Sequence, residues 1–534
     1  MPEVLVQAEL ITPTTGTTII DREMIENLPT RDGNINEIVG IVPGVQFAEE
    51  SFNSFTAGEI SPPVVSISGS RYYDNNYTIN GISNNNPLDP AFDSTTGAGK
   101  LPGHPQIHFL NSQIIDQITV YNSNIPAEFG GFTGGQIDVK TISPDNVSSG
   151  SIHYRTTEDS WTKFHIHPDH LDDFYNSKTT DKQPEFRKQA FGLNFNLPIG
   201  NDTGLVTAYE QQRSKIPLQH LDGYNTQTRR QENFFLKAEH YLPSGAELAL
   251  TALYSPTDNQ YFMTETKGSD YSIEGHNLSF GLSYENQLAA GDLLSNLTYT
   301  SQQTRRDAAP NRLFWDASQP AIDWDSGREG GLGVLETGHK EISLSSDFTT
   351  NKLMLGRMDH QIKFGATATH SRQHYFRPLT NYLYYTSVVD SLIICDAGDP
   401  ACINSEQYLS KRTAYLEADR TADISDYAGY IQNNIAWKRL EIFPGLRVSY
   451  DDYTNNVNLA PRLSLSLDLF GDRDTIFFGG RNRYYSGTLL THALYSGYVT
   501  ESQSRSTSGN GQDDWVTTSV IYSYGEDSVK TPYT

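Results

Sequence analysis

The chain has 534 residues and carries 39 Lys and Arg against 64 Asp and Glu, a formal net charge of -25. That length exceeds one ordinary soluble domain, and with no basic stripe a nucleic-acid backbone is excluded as a partner. No run of 18 apolar residues occurs, so no transmembrane helix is expected.

The opening "MPEVLVQAEL" lacks the basic start and apolar stretch of a secretory leader. Two readings stay open there, a cytoplasmic protein or a sequence that has lost its leader, and the alternating segments downstream favour the second. Asp21 is a good N-cap for a helical turn through Met24, Ile25 and Leu28. Ile35, Ile38, Val39 and Val42 share one face of a short helix stopped by Pro43 and Gly44. Short strands are expected at "VVSISG" and "NYTING", with a polar loop from Ser83 to Pro105 after them. Two more flank "IPAEFGGFTGGQ", where Gly130, Gly131, Gly134 and Gly135 crowd together. Alternation of Gln117–Tyr121 and of Ile137–Thr141 puts these glycines between strands, and Gln136 stands where a phosphate loop needs lysine. A nucleotide site is therefore rejected; the glycines are read as places where backbone meets backbone.

From about residue 148 strict alternation takes over. Phe191, Leu193, Phe195 and Leu197 alternate with Gly192, Asn194 and Asn196; Leu278, Phe280, Leu282 and Tyr284 alternate with Ser279, Gly281 and Ser283. The same period runs through Ile362–Ala368 and Leu463–Leu469, so each strand has one apolar and one small polar face. Connections alternate between short (198–204, 242–247, 288–292) and long (158–186, 307–331, 377–423), which is the signature of an outer-membrane barrel. A wet, filled interior reconciles a mean hydropathy of -0.51 with a lipid-facing exterior. Tyr209, Tyr284, Tyr427 and Trp437 near strand ends fit interfacial girdles. A soluble β-sandwich or propeller is the rival, but no blade-length repeat is visible.

Cys395 and Cys402 enclose "DAGDPA" and are read as a loop disulfide, with two unpaired thiols as the alternative. "HIHPDH" places His165, His167, Asp169 and His170 at the H-x-H-x-D-H spacing of metallo-hydrolase sites. It sits in a long loop without further ligands, so the reading is solvated loop, no metal site and no enzyme. Paired carboxylates such as Asp172 with Asp173 are too common in acidic loops to argue for catalysis.

Three segments of the N-terminal block, "IENLPTRDGNINEIVGIVPGV" (25–45), "VSISGSRYYDNNYTINGIS" (65–83) and "IIDQITVYNSNIPAEFGGFTGGQIDVKT" (114–141), resemble the plug domain of TonB-dependent outer-membrane receptors. "IFPGLRVSYDD" (442–452) and "NLAPRLSLSLDLFGDRDTIFFGGRNRYY" (458–485) resemble mid-barrel strands of the Oar-like and SusC-like branch. The resemblance implies an all-β transmembrane barrel, 22-stranded in the family, with an N-terminal α+β plug inside its lumen. It divides the chain into plug (1–147) and barrel (148–534); about 14 strands are expected here, making the sequence a fragment. It further implies integral outer-membrane location and active import of a peptide, oligosaccharide or metal chelate, with no cofactor. TonB with ExbB and ExbD would supply energy. Outer-membrane lipids and a cargo-delivering surface lipoprotein are the other partners. Glu3, Val4, Leu5 and Val6 stand where a TonB-contacting segment belongs, with ordinary linker as the alternative. Cargo contacts map to the apex residues Arg71, Tyr72, Tyr73, Asp74, Asn75, Asn84, Asn85 and Asn86. The rival functions are a surface adhesin or structural barrel without transport, and a soluble β-rich carbohydrate-binding protein.

Overall fold

The computed structural model describes residues 16–48, 51, 54–487, 490–495, 498–508 and 511–523. Glu3–Val6 lie outside the described residues.

The N-terminal unit begins with β1 (Thr17–Ile20), α1 (Arg22–Asn27) and α2 (Ile35–Val39). Asp21 caps α1 by accepting from the Met24 amide at 2.9 Å, and Asn34 caps α2 from Glu37. Ile35, Ile38, Val39 and Val42 are all buried, as their spacing predicts. β2 (Val45–Phe47) pairs with β3 (Val65–Ile67). The main sheet comprises β4 (Asn76–Ile79), β5 (Ile82–Ser83), β6 (Ile115–Tyr121) and β7 (Gln136–Thr141), in the order β1-β6-β7-β4-β5. Its apolar core joins Ile20, Ile67, Ile79, Ile118 and Ile137 to Val206, Phe235 and Leu253 of the second region.

That second region opens with β8 (Ser149–Glu158), β9 (Arg187–Ile199), β10 (Thr203–His220), β11 (Gly223–Tyr241) and β12 (Glu247–Tyr261). Later strands at Tyr271–Leu288, Gly291–Ala308, Leu335–Thr350, Met358–Arg377, Ala418–Trp437, Leu440–Asp451, Val457–Asp468 and Ile476–Asn482 extend it antiparallel, and with the short Leu353–Leu355, which pairs with Met358–Arg377, they make a fourteen-stranded sheet. Among the described residues the end strands, β8 and Ile476–Asn482, each pair with one neighbour.

The sheet's two faces invert the usual rule for a soluble protein. Leu282 is 45% exposed and Leu465 43%, whereas Ser279 is 0% and Ser466 3% exposed. The outward side chains are thus the apolar ones, and the polar ones close over the N-terminal unit, which the wall wraps. This suits an exterior of hydrocarbon, where every backbone group must be paired within the sheet. It excludes the soluble sandwich or propeller.

The strand connections at one rim are short turns, as predicted. At the other rim the structure corrects the sequence reading. The long connections are not simple loops but build an eight-stranded sheet of their own, including Asn381–Val389, Gln407–Tyr415, Tyr498–Ser504 and Val516–Ser523. The last two pairs of strands therefore rise beyond the wall rather than extend it. Alternating aromatic segments such as "NYLYYTSVV" hold this sheet together: Arg412 lies over the rings of Tyr382 and Trp515, 4.2 Å from each centroid. Cys395 and Cys402 are joined by a disulfide in it.

The four histidine-motif residues sit in the 159–186 connection and are exposed. Among the described residues no group of three or more His, Cys, Asp or Glu side chains is placed to hold a metal ion.

Candidate functional site: the contact between N-terminal unit and wall

The glycine run answers to its neighbours. Gly131 has φ +78°, which glycine adopts without strain. A Cβ on Gly130 would lie 2.3 Å from Arg447 Nε of the wall, and one on Gly134 2.4 Å from Asn75 Oδ1. A Cβ on Gly135 would meet the Ile67 side chain at 2.6 Å. The close approach is to the unit's own strands and to the wall, not to a ligand.

Just ahead of these glycines the segment 125–129 runs without regular structure, so its backbone groups need outside partners. Arg462 donates from Nη1 to the carbonyls of Ile125 at 2.7 Å and Pro126 at 3.2 Å, and from Nη2 to Phe129 at 3.1 Å. Arg447 donates to the carbonyls of Glu128 at 2.7 Å and Ala127 at 3.3 Å. Gln432 accepts from the Ala127 amide at 2.9 Å, and Lys363 pairs with the Glu128 carboxylate. Four wall strands thus grip five residues.

Further contacts circle the wall. Asp32 is buried against Lys188, whose Nζ lies 2.8 and 3.0 Å from its two oxygens. His108 reaches Ser255 through Nδ1 and Ser279 through Nε2, each at 2.8 Å. Burial pushes the His108 imidazole pKa down to about 3, so it is neutral when docked. On the long-loop side, Arg306 and Arg377 both donate to the Ala98 carbonyl and Tyr375 to that of Gly99, which pins the 83–105 loop.

The predicted apex residues divide. Arg71 is exposed, while Tyr72, Tyr73 and Asp74 are half-buried. Arg71 Nη1 donates to Tyr73 OH at 2.7 Å, and Tyr72 OH to the Ala91 carbonyl at 3.2 Å. Asn75, Asn84 and Asn86 are instead buried. Asn75 donates to Val65 O and accepts from Gly135 N; Asn84 brackets the His108 backbone; Asn86 accepts from Leu88 N. Asn85 accepts from the Tyr77 amide. These four amides hold loops in place. A cavity of about 340 Å³ opens elsewhere, beside the start of β1, lined by Gly16, Thr17, Pro43, Asn122 and Phe478.

The wall cations escaped the sequence reading, although a signal existed. Arg462 is in phase with Ser464 and Ser466, Arg447 with Gly445, and Lys188 with Ala190 and Gly192. A lone cation on the small-residue face of an alternating strand points inward, where it needs a partner.

Comparison with known proteins agrees with this geometry. A family model described as TonB-dependent Receptor Plug Domain matches residues 10–136. The uncharacterized protein YddB of Escherichia coli K12 is 28% identical over 527 residues, covering 95% of this chain and 63% of the relative. The chain thus spans less than two thirds of that relative's length. The crystal structure of the outer membrane transporter YddB from Escherichia coli superposes with TM-score 0.79 at 24% identity, over 92% of this chain and 68% of that one. The siderophore receptor PirA from Acinetobacter baumannii gives 0.61 at 13% identity, over 91% and 63%. A ferric enterobactin receptor mutant (PfeA) from Pseudomonas aeruginosa gives 0.60 at 14%, over 91% and 64%. Residues 10–136 thus carry a TonB-dependent receptor plug domain, the wall around them has the fold of the outer-membrane receptors, and with its apolar exterior the chain is an integral outer-membrane protein.

Proposed function

We propose that the protein imports a nutrient across the outer membrane by TonB-driven movement of the plug, within a closed 22-stranded barrel. The plug is assigned to residues 1–147 and the barrel to 148–534. The observation that carries this reading is the chemistry of the plug–wall contact. Apart from apolar patches under β10 to β12 and where Leu88 and Leu101 pack on Leu335 and Tyr375, the plug is held by hydrogen bonds and ion pairs that water can replace. Such a contact is specific when closed, and costs less to open than a continuous apolar seam.

Force would enter at the N-terminus. Glu3, Val4, Leu5 and Val6 are assigned to TonB, energised through ExbB and ExbD. They precede β1, an edge strand joined to the plug sheet by four residue pairs with β6. Pulling there loads β1 first and then β6, which leads into segment 125–129. Cargo approaches from the long-loop side and meets Arg71, Tyr72 and Tyr73, whose rings and guanidinium suit a peptide, an oligosaccharide or an aromatic chelate. Peptides and oligosaccharides lead, because the Oar-like and SusC-like resemblance favours them. A surface lipoprotein would deliver them.

The test is uptake of candidate cargoes by cells with and without TonB. Uptake that vanishes with TonB supports import; a protein that accumulates in the outer membrane yet takes up no cargo in either strain is an adhesin or structural barrel.

A further inference from the structure

The outward face of the wall carries an electrostatic anomaly. On β10, Arg213 and Lys215 both point away from the plug and are exposed, while Ser214 and Ile216 between and beyond them are buried. In the strand register Arg213 stands directly opposite Arg230 of β11 and Gln189 of β9. Lys215 stands directly opposite Arg187 of β9 and Thr228 of β11. Two cation–cation pairs therefore occupy adjacent cross-strand sites, an arrangement that destabilises a sheet unless an anion lies between. They do so in a chain of net charge -25.

The carboxylates on this face serve the flanks. Glu158 is 3.9 Å from Arg187, Glu232 is 3.0 Å from Arg230, and Asp258 faces Arg230 across the register. The cross-strand neighbours of Arg213 and Lys215 are neutral or cationic. Elsewhere along the same rim, charges are matched: Arg305 with Glu336 at 3.6 Å and Arg372 with Asp423 at 2.6 Å. Arg372 also faces Lys340, but with Asp423 on its guanidinium.

Height on the wall identifies the occupant. Phe191, Tyr209, Phe234 and Tyr254 form a row of neighbouring rings across four strands, with centroids 4.8–6.5 Å apart. Such a row marks the boundary of the apolar band. Arg213 lies four residues beyond Tyr209 toward the long-loop rim, about 13 Å along the strand. That is headgroup depth, not open solvent.

We propose that Arg213 and Lys215, flanked by Arg187 and Arg230, bind the phosphate of an outer-leaflet lipid headgroup. The guanidinium fork of Arg213 can take two phosphate oxygens and the Lys215 ammonium a third. The proposal rests on the barrel reading with long loops outward, and not on import.

The experiment uses protein purified from outer membranes in neutral detergent, titrated with lipid A, a bisphosphorylated glycolipid. Native mass spectrometry reads bound lipid and a thermal shift reads stabilisation. The wild type should bind and gain in Tm, and R213Q/K215Q should bind about tenfold more weakly or worse. R372Q should behave as wild type. Enzymatically dephosphorylated lipid A should bind the wild type about tenfold more weakly, an arm that needs no variant. Equal binding of lipid A by the double variant, or equal binding of the dephosphorylated lipid, overturns the proposal. So does an equal shift with inorganic phosphate alone, which would mark an adventitious ion site. A cell that imports nothing leaves these measurements unchanged, so failure of the import reading is distinguishable.

Discussion

Arg462 of the wall and Ile125 of the plug are joined guanidinium to carbonyl at 2.7 Å, across 337 positions of sequence. The same side chain reaches Pro126 and Phe129, so one planar group organises a turn of plug backbone that has no sheet partner. Truncating it leaves carbonyls facing a dry wall.

R462A should therefore cost about 3 kcal/mol of plug docking. Hydrogen exchange reads this locally: amides of 125–131 should exchange at least about tenfold faster, with β4 unchanged. R462K should fall between, because an ammonium cannot span the three carbonyls.

Asp32 and Lys188 test the second anchor. Each side chain is 8% exposed, and Asp32 also holds Arg31 at 2.9 Å, so removing Asp32 strands the Lys188 ammonium whereas removing Lys188 leaves Asp32 paired. D32A should lower plug stability by about 3–5 kcal/mol, K188A should cost less, and D32N/K188M should recover much of the larger loss. A double-mutant cycle on unfolding in detergent checks the coupling.

Legibility in the sequence depends on whether a pattern is local. Alternation at Leu278–Tyr284 and Leu463–Leu469 reveals the sheet and its lipid face, because a period of two has one structural meaning. Asp21 and the Ile35–Val42 face reveal the plug helices. The apex asparagines stay ambiguous in sequence, since an amide such as Asn84 looks alike whether it faces cargo or closes a loop on His108. The loop sheet stays hidden because its strands are separated by up to about ninety residues, and pairing at that range leaves no local trace.

His108 makes docking sensitive to acid. Its pKa is about 3 when docked, against the ordinary 6.5 when released, so the released state binds the proton more readily. Its contribution is complete above pH 6.5 and shrinks as pH falls from 6.5 toward 3. The slope is up to about 1.4 kcal/mol per pH unit. His104, also held low at about 4 by burial, adds to it. Melting of the plug in detergent across the range from about pH 4 to about pH 8 should show this slope, and H108Q should flatten it in part.

Gly130 should tolerate no side chain. G130A puts a methyl 2.3 Å from Arg447 Nε and must displace that guanidinium from the Ala127 and Glu128 carbonyls. A loss of about 1–3 kcal/mol is expected. G479A, with nothing within 4 Å, should be near neutral in the same unfolding assay.

The apex separates binding from folding. R71A, Y72A and Y73A should raise the half-saturation concentration for uptake several-fold with plug stability little changed. N84A should destabilise the plug instead, by about 1–3 kcal/mol, because it unpairs the His108 backbone. Paired uptake and melting measurements distinguish the two classes.

Seating of the plug within the wall underlies every one of these expectations, and one pair of positions measures it directly. A Cβ on Gly445 would lie 3.2 Å from Ala127 Cβ, within reach of a disulfide after slight adjustment. With A127C and G445C in place, intact cells are treated with a mild oxidant, and the protein is then denatured in a thiol-alkylating reagent and weighed. A plug seated in the wall leaves the introduced thiols protected as a 127–445 crosslink, reversed by reductant. Two alkylated thiols at these positions would show that the plug lies elsewhere.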